Sequence, residues 1–135
     1  MGPEIQLANY CTTAFVHFTL AVTLFYALFV SVASRQKLST HAWWVLFGIM
    51  LDTFSWGVHQ SFYAIREYLH LIGSDLTYKM VENIWLLTPS YMIGWLGVVI
   101  TTTSFWRGNF VKNAVLKLAI ISGWWVLVWI TIRGL

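Results

Sequence analysis

No charged residue stands between Glu4 and Arg35, and this uninterrupted apolar stretch restricts what the chain can fold into more than any other feature. Crossing a hydrocarbon core of about 30 Å takes roughly 20 apolar residues in a helix. Thr12 to Ala33 supplies them. The run is longer than the roughly 7 to 15 residues of a signal-peptide core and no Lys or Arg precedes it, so it reads as a retained helix.

Three further segments follow the same rule less cleanly. The second starts at Ser39-Thr40, a suitable N-cap pair, and continues beyond Tyr63 with Asp52 and His59 inside it, until Gly73 stops it. The third, capped by Ser74 or Asp75, carries no charge from Asn83 to Trp106. It contains Pro89, whose missing N–H predicts a bend or loosening there. The fourth is free of charge only from Leu118 to Ile132, so Lys117 must snorkel and the helix is expected to reach back toward Phe110. Helices are thus expected at about 12–33, 41–71, 76–105 and 111–133, within a single membrane domain covering 1–135. The fold class expected is all-α: a polytopic integral membrane protein with four transmembrane helices in a small bundle.

Composition points the same way. Hydrophobic residues make up 59% of the 135 and charged residues 10%, where a soluble domain has roughly a quarter charged. A globule this small buries only about two thirds of its surface, so lipid is expected to cover the remainder. The net charge of +3 comes from bases scattered over several loops, which argues against nucleic acid as a partner. The single cysteine, Cys11, excludes an intramolecular disulfide, and no Cys/His cluster has zinc-like spacing.

Basic residues set the expected orientation. The connections between helices 1 and 2 (Arg35, Lys37) and between helices 3 and 4 (Arg107, Lys112, Lys117) hold bases and no acids. The other side mixes Glu4, Arg66, Glu67, Asp75, Lys79, Glu82 and Arg133. Under the positive-inside rule both termini lie outside the cytoplasm, in a bacterial-type inner or plasma membrane. Trp43, Trp44, Trp85, Trp106 and Trp129 fall near the span ends, where indoles anchor the interface.

The most informative segment is helix 2. At 100° per residue, Asp52, Ser55, His59, Tyr63, Arg66 and His70 fall within about 60° of one direction and form a polar ridge. An ionised Asp near mid-span costs roughly 2.5–3.5 kcal/mol unless it finds a partner, so Asp52 must face protein or water. One reading makes the ridge a proton or ion pathway, with Asp52 and His59 as titrating stations, Ser55 and Tyr63 as relays and Arg66 at the mouth. The other makes it a buried polar seam that fixes helix register. A third uses His17 of helix 1, at the same expected depth as His59, as the partner ligand of a haem b iron. Gly57 alone offers room for a porphyrin near either histidine.

Small residues mark the packing faces. Ser90, Gly94, Gly97 and Thr101 share one side of helix 3, and Ala119 with Gly123 repeats the theme on helix 4. Two such faces leave surface for a second copy of the chain, so a homo-oligomer or a partner membrane subunit is expected. No GxSxG, HExxH or phosphate-gripping glycine loop occurs, and Cys11 has no base nearby except His17. The chain is therefore read as non-enzymatic, with no cofactor other than the haem b alternative.

The function expected is alteration of membrane permeability, through the polar ridge of helix 2 or through an oligomeric lesion. In its size and its several hydrophobic spans the chain resembles phage holins, small proteins that open the inner membrane during lysis. Its tail, Ile132-Arg133-Gly134-Leu135, departs from the charged terminus that many holins carry. The alternatives are a haem-binding anchor using His17 and His59, and a structural subunit that packs helices of a larger complex.

Overall fold

The computed structural model describes residues 2–34, 38–76 and 87–133, with side chains described up to residue 130. Four helices and no strand appear among the described residues: α1 (Pro3–Ala33), α2 (Thr40–Leu71), α3 (Thr88–Arg107) and α4 (Ala114–Arg133). The architecture is all-helical. One of these helices, α1, is long and apolar enough to cross a membrane, and the apolar part of α4, Ala114–Ile130, is shorter.

Local chemistry sets the ends. Pro3 sits in the first turn of α1, where a missing N–H has no helical acceptor to lose, and Glu4 complements the positive end of the helix dipole. The Ser39 hydroxyl accepts from the Ala42 N–H at 3.2 Å and caps α2. At the other end of α2, Gly73 takes φ +67, and the Ser74 N–H reaches back to the Leu69 carbonyl at 2.9 Å. This is a glycine-dependent stop of the Schellman kind.

Three boundaries differ from expectation, the first being the start of α1, which lies at Pro3 and not near residue 12. The described part of α3 begins at Thr88, so Pro89 occupies its first turn instead of interrupting its middle, and no bend at that residue is needed. The start expected near residue 76 and the Trp85 anchor lie against or within residues 77–86, outside the described set. The fourth helix begins at Ala114 and does not reach Phe110, because Asn113 caps it: its Oδ1 accepts from the N–H groups of Val115 (2.9 Å) and Leu116 (3.3 Å). Lys117 still reaches polar company by crossing to α3, where its Nζ donates to the Trp106 carbonyl at 2.9 Å.

Helix α2 is the centre of the molecule, with α1 and α3 packed antiparallel on different faces of it. On the α1 side, Ala14, Ala21 and Leu28 are buried at a spacing of two turns, while Phe15 and Val22 point outward. Tyr10 lies against Tyr63, and Phe18 against Phe54 and Gly57. On the α3 side the contact is closer. A Cβ placed on Gly48 would stand 2.6 Å from the Gly97 carbonyl oxygen, and one placed on Gly97 would stand 2.7 Å from the Asp52 nitrogen, so the two backbones touch where each lacks a side chain. Helix α4 meets α3 through Trp125 on Trp95, with ring centroids 5.6 Å apart.

Candidate functional site

Gly48, Asp52, Ser55 and His59 recur at helical spacing along α2, and all are buried. Because this stripe meets the small-residue face of α3, its polar groups are enclosed by protein. Ser55 shows how closely they fit. Its hydroxyl donates to the Ser90 carbonyl at 2.6 Å, and the Ser90 hydroxyl lies 3.3 Å from both the carbonyl and the hydroxyl of Ser55. This reciprocal contact stitches the two helices at mid-seam. Gly94 makes room for it, since a Cβ there would lie 2.6 Å from the Ser55 hydroxyl.

His59 is the least accessible polar side chain among the described residues, with 1% of its surface exposed. Its Nδ1 lies 2.7 Å from the Ser55 carbonyl, one turn back on the same helix. That contact holds the proton on Nδ1 and leaves Nε2 as the acceptor. Nε2 is buried and has no hydrogen-bond partner among the described residues. The ring packs at 3.9 Å, centroid to centroid, against that of Tyr91.

His59 and Asp52 line one cavity of about 20 Å³, together with Ser55, Trp56, Tyr91 and Gly94. Trp56 stands one turn beyond Asp52 on the same helix, and its indole also lines the cavity. From His59 the polar groups continue toward the end of α2. The Tyr91 and Tyr63 hydroxyls stand 3.5 Å apart, and the Arg66 guanidinium lies 5.2 Å from the centre of the Tyr63 ring while pairing with Glu67 at 2.7 Å. In the opposite direction the seam closes to backbone contact at Gly48 and Gly97. The Thr101 hydroxyl bridges it, donating to the Gly97 carbonyl at 2.8 Å and lying 3.5 Å from that of Val45.

The residues singled out from sequence therefore separate into groups. Asp52, Ser55 and His59 come together around one cavity, and Tyr63 with Arg66 continues outward from it. His70 is exposed. Ser90, Gly94, Gly97 and Thr101 form the face that receives α2. Ala119 and Gly123 are exposed, and nothing lies within 4 Å of a Cβ built on Gly123. Tyr91, Trp56 and Gly48 were missed. The signal for Gly48 was present, since it stands one turn before Asp52 on the same ridge and matches the glycines of α3.

The haem alternative does not fit this arrangement. His59 faces the α3 side of α2, whereas His17 sits on α1 with its Nδ1 2.7 Å from the Thr13 carbonyl. The space beside Gly57 is taken by Phe18, whose ring carbons would lie 2.9 Å from a Cβ there. The cavity at His59 is more than tenfold smaller than the roughly 300 Å³ at which ligand pockets begin. Comparison of the chain with protein-family models, curated proteins and solved structures finds no match.

Proposed function

We propose that the chain is a four-span membrane protein that alters permeability by passing protons along the seam between α2 and α3. The membrane part of this reading is supported by the surface. The apolar window of α1 has mean hydropathy 2.0 with only 11% of it buried, and large apolar side chains face outward on all four helices, including Phe29, Phe54, Met92 and Leu127. The chain exposes 9261 Å² at 15.6 kDa, against roughly 7,250 Å² for a globular monomer of that mass.

The observation that carries the proton reading is His59: a buried imidazole with an unpartnered Nε2, on the wall of a cavity shared with a buried carboxylate. A site needs about 10–15 Å³ to hold one water, so about 20 Å³ admits a single water and no hydrated ion. Nε2 and Asp52 share that cavity, and a water entering it during transfer is the connection this reading requires. Ser55 and Ser90 favour a second reading, in which the seam only fixes helix register.

Proton flux into vesicles containing the purified protein and an internal pH dye separates these readings. The wild type is expected to acidify the lumen under an imposed potential, and Asp52→Asn to fall to the leak of empty vesicles while keeping its fold. Equal flux in both proteins would favour the lesion former, which does not need the carboxylate. Absence of flux in both would favour the register seam or a partner subunit. For orientation, a cysteine introduced by Ser39→Cys in a Cys11→Ser background is expected to resist an impermeant thiol reagent added outside intact cells. Rapid labelling would invert the topology.

A further inference from the structure

At the end of the bundle away from Arg66, the start of α2 and the last two turns of α3 form an open surface hollow of about 330 Å³, lined by Thr40, His41, Trp44, Ile100, Thr103, Ser104 and Arg107. Its chemistry differs from that of the two cavities along α1, of about 240 and 330 Å³, whose walls are aromatic and aliphatic throughout. Here a guanidinium, an imidazole and hydroxyl groups converge beside an indole and an isoleucine.

Arg107 has no ion pair among the described residues; the one present is Arg66 with Glu67, at the opposite end of α2. The sequence explains why. No acid occurs between Glu4 and Asp52 or anywhere after Glu82, so neither connection at this end supplies a counter-charge. The neighbouring base Lys117 is already engaged with the Trp106 carbonyl and lies 5.8 Å from the centre of its ring. Arg107 is thus an exposed cation beside a polar hollow, with no acid against it among the described residues.

We propose that this hollow binds the phosphate of an anionic lipid headgroup. Arg107 holds the phosphate oxygens through its planar fork of donors. The Thr40 and Ser104 hydroxyls and the His41 ring supply further donors, and Trp44 and Ile100 form the apolar wall along which the glycerol and upper acyl chain leave. That wall is what selects a lipid over free phosphate, because an inorganic ion would leave the indole and isoleucine against charge. Basic pockets between helices on the cytoplasmic side are where such headgroups bind. The inference rests on the membrane reading above and is independent of proton transfer.

The test uses the full-length protein purified in neutral detergent, with retained lipid read by native mass spectrometry and thermal stability read on adding phosphatidylglycerol or phosphatidylcholine. The wild type is expected to retain and be stabilised by phosphatidylglycerol in preference, and Arg107→Gln to lose about fivefold of that preference. Lys112→Gln, an exposed base in the same connection, is expected to keep it, and Ser104→Ala to lose part of it, which preserves the test if Arg107→Gln does not fold. Equal losses in Arg107→Gln and Lys112→Gln, or no preference in the wild type, would overturn the proposal. Stabilisation by inorganic phosphate equal to that by phosphatidylglycerol would overturn the lipid as its source. A protein that binds the lipid but passes no protons would refute the flux reading alone, whereas one recovered in the soluble fraction would refute both.

Discussion

Gly97→Leu is expected to prevent α2 and α3 from packing, so that the variant unfolds far below the wild type in detergent or fails to purify as a single species. The reason is the identity of the neighbouring atoms. A Cβ at position 97 would meet the Gly48 carbonyl oxygen at 2.5 Å and the Asp52 nitrogen at 2.7 Å, and both belong to the backbone of a continuous helix. Overpacking in a core costs about 1–3 kcal/mol where side chains shift aside. Backbone can only yield if the helices separate, which also breaks the Ser55–Ser90 contact and opens the cavity at His59. Two companion substitutions grade the effect. At Gly94 the nearest obstacle is the Ser55 hydroxyl at 2.6 Å, a side-chain atom that can rotate, so Gly94→Leu is expected to lower the melting temperature by less. Gly123 has nothing within 4 Å, and Gly123→Leu is expected to melt with the wild type. Equal melting temperatures for the position 97 and 123 variants would show that the backbones do not meet as described.

The part of this arrangement that sequence carried is the part set by periodicity. Asp52, Ser55 and His59 align on one helical face whatever the tertiary structure, and so do Ser90, Gly94, Gly97 and Thr101. What periodicity lacks is the identity of the opposing face. The glycine stripe of α3 read equally well as a contact for a second copy. Only Gly48, seen opposite Gly97, shows that it serves α2 within the same chain. Tyr91 was illegible for a related reason: it lies at the edge of that stripe and gains its place from the His59 ring, a contact between residues 32 positions apart in sequence. Pro89 misled because a proline marks either an interruption or a beginning, and its meaning depends on where the helix starts. At Lys117 the need for snorkelling was legible, but the Asn113 cap, which fixes where α4 begins, was overlooked.

His59→Leu is expected to leave thermal stability unchanged or raised while proton flux falls to the leak of empty vesicles. An unpartnered polar atom in a protein interior costs about 1–3 kcal/mol, and His59 carries one at Nε2. Leucine removes that cost and fills comparable space between Tyr91 and Trp56. The bond lost with it, from Nδ1 to the Ser55 carbonyl, leaves an acceptor that the Ser90 hydroxyl still reaches at 3.3 Å. A residue present only to hold helices together would show the opposite sign, since its removal would loosen the seam and leave flux irrelevant. If His59 is a proton station, the two readouts must move apart, because Nε2 then serves transfer and not the packing of α2 on α3. Melting temperature and flux measured on the same preparation decide it. A stable leucine variant that still conducts would remove His59 from the path, and one that loses several degrees would make the imidazole a structural element of the seam.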